Sequence, residues 1–105
     1  LSIRFVGSVV WKGRDMQQDE AEKVVAALSE RRLFAHLYRG GVNRFGVRVV
    51  LSDGREALWD VDGAAGLEAQ VMANGVLVGF VPKIPGSETF TIEQTVEAIA
   101  SATYS

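Results

Sequence analysis

The sequence contains no cysteine and a single histidine, His36. That excludes disulfide cross-links, thiolate metal sites and a cysteine nucleophile, and it leaves too few ligands for the usual zinc clusters. Proline occurs only at Pro82 and Pro85, so no proline-rich linker divides the chain. No apolar run approaches the roughly 20 residues that span a bilayer, and no membrane partner is expected. The start, Leu1-Ser2-Ile3-Arg4, lacks the basic region and apolar stretch of a secretory signal, which points to a cytoplasmic protein. Gly40-Gly41, Gly63 with Gly66, and Gly75 with Gly79 have neither the phosphate-loop nor the dinucleotide spacing, so no cofactor is expected. Ser8, Ser52 and Ser87 stand outside any nucleophile elbow.

What is present is an ordinary globular composition. The 105 residues are 48% hydrophobic and 23% charged, which fits a single domain over residues 1–105 and argues against disorder.

Hydrophobic periodicity assigns the elements. Ile3, Phe5, Val9 and Trp11 share one parity and predict a strand over 3–11. A helix follows from about Met16, with Asp15 and Gln18 at capping-box spacing and Ala21, Val24, Val25 and Leu28 as its apolar stripe. The stripe would continue at Arg32, yet Leu33, Phe34 and Leu37 fall half a turn away. The helix therefore ends at Arg31 or Arg32 and a strand begins at Leu33, with Phe34, His36 and Tyr38 pointing one way and Leu33, Ala35 and Leu37 the other. Phe45 to Leu51 and Ala57 to Val61 read as two more strands joined at Ser52-Asp53-Gly54. Between 64 and 82 two readings compete, a helix closed at Asn74-Gly75 or a hairpin turning there. The hairpin sets Leu67, Ala69, Val71 and Ala73 beside Val76, Val78, Phe80 and Pro82 on one wholly apolar face, and is preferred. Thr91 and Gln94 open a last helix with the stripe Ile92, Val96, Ile99 and Thr103, expected to lie on the sheet as a lid. The expected fold is a two-layer α+β domain: an antiparallel sheet of five to six strands, in the order β-α-β-β-β-β-β-α, with two helices.

Charge is uneven. Residues 31–55 hold six arginines and one acid, Asp53, giving +5, while the remainder carries −7 of the formal total of −2. Arg31, Arg32, Arg39, Arg44, Arg48 and Arg55 interleave with Phe34, His36, Tyr38 and Phe45. Guanidinium forks beside aromatic faces suit an acidic protein surface or phosphates and stacked bases. A purely structural use competes with this: Arg31 and Arg32 at a helix C-terminus, and Arg48 and Arg55 paired with Glu56 or Asp53.

Phe5-Val6-Gly7-Ser8-Val9 resembles the first-strand signature of the RNA-recognition motif, and Arg44-Phe45-Gly46-Val47 resembles part of its third-strand signature. The order strand, helix, strand, strand agrees. Val47 stands where a second stacking aromatic is usual, and Arg48 where an aliphatic residue is. The resemblance implies base stacking by Phe5 and Phe45. Asp60 and Asp62 share a parity at a strand end and, with His36, are the one acid/base set in view. They are too few for a calcium site, and no metal is expected.

These observations favour a non-enzymatic module that binds an unidentified protein or anionic ligand through the ten Arg, aromatic and His residues of 31–55, as a possible homodimer through a free sheet edge. The alternatives are a single-stranded nucleic-acid binder using the same surface and a small enzyme using His36 with Asp60 or Asp62. Trp11, Trp59 and Tyr104 are candidate exposed interface aromatics.

Overall fold

The computed structural model describes residues 16–41, 44–62 and 66–104. The predicted strand over 3–11 and the cap at Asp15 lie outside them. Helix α1 covers Gln18–Glu30, with Gln17 as N-cap donating its backbone N–H to the Glu20 carboxylate at 2.9 Å. The expected box of Asp15 with Gln18 is thus displaced by two residues. Met16 is fully buried, so the chain already enters the core before the first helical turn.

The end of α1 is where the lost stripe placed it. Arg32 takes a left-handed φ of 66°. Its N–H donates to the Ser29 carbonyl at 3.0 Å, and Leu33 N–H donates to the Leu28 carbonyl at 3.1 Å. These paired bonds are a Schellman stop, with arginine where glycine is usual. Leu33 then turns inward against the core.

Five strands follow: β1 (Phe34–Gly41), β2 (Arg44–Val50), β3 (Glu56–Asp62), β4 (Gly66–Ala73) and β5 (Val76–Val81). Each pairs antiparallel with its sequence neighbour, in the spatial order β1-β2-β3-β4-β5. Helix α2 (Ile92–Ser101) closes the described chain. The fold is the expected α+β arrangement of two helices and an antiparallel sheet. Among the described residues no helix is long and apolar enough to cross a membrane.

Odd-numbered residues of β1 to β4 face the helices, and all but those toward the end of β1 and Ala73 are buried or packed against the core. Ala35, Val47, Val49, Ala57, Trp59, Val61, Leu67 and Ala69 join Val24 and Leu28 of α1 and Ile92, Val96 and Ile99 of α2 in one core cluster. Both helices therefore lie on one side of the sheet. The Thr91–Gln94 capping box forms as predicted, at 2.8 and 3.2 Å. The stripe of α2 is broader than expected: Thr95 is buried with its hydroxyl donating to the Thr91 carbonyl, while Thr103 lies beyond the helix end and is exposed.

The β4–β5 hairpin turns at Asn74-Gly75, both with positive φ (53° and 79°), as a type I′ turn requires. Ala73 pairs with Val76 as expected. One extra residue in β5, Val78, then shifts the ladder, so Val71 pairs with Gly79, Gln70 with Phe80 and Ala69 with Val81. A one-residue bulge moves every later side chain to the other face. Phe80 is thereby turned outward, 66% exposed, and the expected wholly apolar face does not form.

Trp59 is completely buried and Tyr104 half-buried, so neither is the exposed interface aromatic the composition suggested. Their rings meet edge to face at 6.2 Å, and Trp59 Nε1–H donates to the Tyr104 hydroxyl at 2.9 Å. Arg55 donates to the Tyr104 carbonyl at 2.9 Å, which fastens residues 102–104 across the β2–β3 turn. Burial raises the Tyr104 phenol above its ordinary pKa, opposed by the bond from Trp59.

Two outcomes follow for stability. Arg32→Gly relieves the left-handed backbone and raises stability by up to about 1 kcal/mol in urea unfolding, because L side chains there cost about 1–2 kcal/mol, less the extra entropy of glycine. Tyr104→Phe leaves the buried indole N–H unpaired and costs about 1–3 kcal/mol. The raised folded-state pKa of Tyr104 means that the unfolded chain ionises first, so wild-type stability falls as pH rises past 10.0, and Tyr104→Phe removes that component.

Candidate functional site

Alternation in β1 and the register of its neighbours build one surface on the helix-free side. Phe34, Val50, Glu56, Met72 and Leu77 make a first row across the five strands. His36, Arg48, Leu58, Gln70 and Phe80 make the second. Tyr38, Gly46, Asp60 and Glu68 make the third. Gly46 leaves a gap there because a methyl group would collide with the Trp59 carbonyl oxygen.

Four of the ten predicted binding residues, Phe34, His36, Tyr38 and Arg48, are neighbours on this face. Phe34 is 71% exposed and His36 is exposed, while Tyr38 and Arg48 are half-buried. Arg48 lies directly opposite His36 and reaches the Glu56 carboxylate at 3.6 Å. The β3–β4 half of the face is acidic, through Glu56, Asp60 and Glu68, with Lys83 bound to Glu68 at 3.0 Å. The face thus grades from aromatic and basic at β1–β2 to acidic at β3–β4.

Five of the other six, Arg31, Arg32, Arg39, Phe45 and Arg55, lie elsewhere. Arg31 caps α1 and holds Glu97 of α2 at 2.8 Å, a pairing that keeps the Glu97 carboxyl below its ordinary pKa. Arg55 holds Asp53 at 2.7 Å, and its backbone N–H is the main cause of the lowered Asp53 pKa. Arg32 and Arg55 line a cleft of about 390 Å³ whose walls include Leu33, Phe34, Leu51, Ile99 and Tyr104. Arg39 sits 5.6 Å above the Phe45 ring. Phe45 packs against the core on the helix side of the sheet, so it is not presented on the helix-free face, whatever its resemblance to a stacking residue. Phe5 is outside the described residues, and Arg44 begins β2 opposite Gly41.

His36 and the acidic pair are separated. Asp60 follows Trp59, the partner of Val47, so it stands two strands and one row from His36. Strand spacing puts that separation at about 12 Å between backbones, too far for direct proton exchange. Asp62 pairs with Gly66 at the end of β3, farther still. Among the described residues no three His, Asp or Glu side chains gather as metal ligands.

Strand alternation missed Phe80, which with Leu77 extends the helix-free face to its far edge. The one available signal was Gly79, an isolated glycine within a strand pattern, which often marks a bulge. Comparison with protein-family models, curated proteins and solved structures finds no match to this chain.

The Arg48–Glu56 pair is exposed enough to be screened, so a double-mutant cycle of Arg48→Ala and Glu56→Ala read by urea unfolding should give a coupling below about 1 kcal/mol.

Proposed function

We propose that the chain is a non-enzymatic, cytoplasmic binding module that engages a protein partner through Phe34, His36, Tyr38 and Arg48. The single observation that carries this reading is the helix-free face of the sheet, with Phe34 71% exposed beside His36 and Arg48. An exposed aromatic next to an arginine is the side-chain combination that anchors protein interfaces. The charge of the face favours protein over nucleic acid. Arg48 is the one cation among the described side chains of its three rows, against the carboxylates of Glu56, Asp60 and Glu68. A phosphate backbone would meet that acidic half at a cost. Enzyme chemistry gains no support, since His36 is distant from both candidate carboxylates.

Selection of a displayed random-peptide library on the folded protein tests the reading. Selected peptides should lose at least about tenfold in affinity on Phe34→Ala or Arg48→Glu and keep it on Glu22→Ala, a change on exposed α1 surface. Peptides indifferent to both changes would remove the proposed face. Labelled single-stranded oligonucleotides should not bind. An oligonucleotide affinity that falls steeply with salt and weakens in an Arg44→Ala, Arg48→Ala variant would instead establish the nucleic-acid reading.

A further inference from the structure

Strand β5 ends the sheet, and among the described residues only β4 pairs with it. Its sequence, VLVGFV, has no charged residue. Val76, Leu77, Val78 and Phe80 are 61, 45, 55 and 66% exposed, so apolar side chains stand out from both faces of an open edge. Sheet edges normally carry charge, proline or a covering element, because their unpaired N–H and C=O groups recruit other strands. Within β5 there is neither charge nor proline, and Pro82 comes only after its end. The opposite edge, β1, carries His36 and Arg39.

We propose that β5 pairs antiparallel with β5 of a second copy of this chain, forming a two-fold dimer with a continuous ten-stranded sheet. The strand is complementary to its own reverse. A two-fold axis between Val78 and Gly79 sets Leu77 opposite Phe80 of the partner subunit and Val76 opposite Val81 of the partner subunit. It also brings the two bulges together at the axis, where they stay in step; a regular strand would lose register at the extra residue. No like charges meet, since the nearest cation and anion, Lys83 and Glu68, are already bound to each other at 3.0 Å. An edge bearing charge would have to desolvate it against this apolar strand, which favours a second copy over an unrelated charged edge.

The axis runs normal to the sheet, so both helix layers lie on one side and both helix-free faces on the other. The two Phe34 patches then stand about 40 Å apart, nine strand spacings. This assembly is independent of the partner-binding reading, and it would present that surface twice.

Sedimentation equilibrium over about a hundredfold range of concentration tests it, since a dimer dissociates by mass action. Wild type should shift from 11.4 kDa toward twice that mass. Val78→Lys or Phe80→Lys should weaken association at least about tenfold with an unchanged circular dichroism spectrum, and His36→Lys on the other edge should leave it intact. Wild type that stays monomeric, or a dimer broken by His36→Lys and spared by both β5 changes, overturns the proposal. Should the β5 variants fail to fold, wild-type hydrogen exchange decides: β5 amides gain protection as the protein is concentrated, and equal exchange at both ends of the range refutes the pairing. Peptide affinity that survives in the monomeric variants separates this outcome from the partner-binding test.

Discussion

The architecture depends on one backbone event, the passage of the chain through a left-handed residue at Arg32. Had the helix continued, Leu33, Phe34 and Leu37 would have gone to its solvent side. The two carbonyl bonds that stop α1 instead deliver Leu33 into the core and start β1 with alternating faces. The helix-free side of β1 to β4 takes its orientation from that first residue of β1, because the ladder hands the same parity on as far as β4. The side chain at this joint is an arginine, which needs no apolar surroundings and stays exposed.

A second constraint acts from the far end of the chain. Trp59 is the largest side chain in the core, and its indole N–H finds its acceptor in the Tyr104 hydroxyl, 45 residues away. Arg55 holds the same residue by its carbonyl. Three of the six arginines in the basic segment are thereby explained in part by structure: Arg31 joins the helices, Arg55 holds the tail and Arg39 covers Phe45. The concentration of positive charge in residues 31–55 therefore overstates how much of it faces a ligand. Among the described side chains, what remains on the helix-free surface is Arg48 with three ring-bearing neighbours.

The elements that sequence reveals are those governed by local rules. The loss of helical phase after Leu28, the Thr91–Gln94 box and the Asn74-Gly75 turn each involve residues within a few positions of one another, and each is found where expected. Alternation likewise put Phe34, His36 and Tyr38 on a common side. Features set by distant parts of the chain were not legible. The pairing of Arg31 with Glu97 spans 66 residues, and the bond from Trp59 to Tyr104 spans 45. The bulge at Val78 is a different failure: a single additional residue leaves composition and periodicity almost unchanged while exchanging inside for outside. For that reason simple alternation places Phe80 on the apolar face of the hairpin instead of the helix-free face.

The meander has a kinetic consequence. Each described strand bonds only to its neighbours in sequence, so the sheet closes through a series of short loops, each with a small entropy cost. The contacts that join the two ends, between α1 and α2 and between Trp59 and Tyr104, require closure of far longer stretches. Hairpins can thus zip up before the tail docks, and the indole, lacking its acceptor until then, gives such an early species a spectroscopic environment unlike that of the native protein.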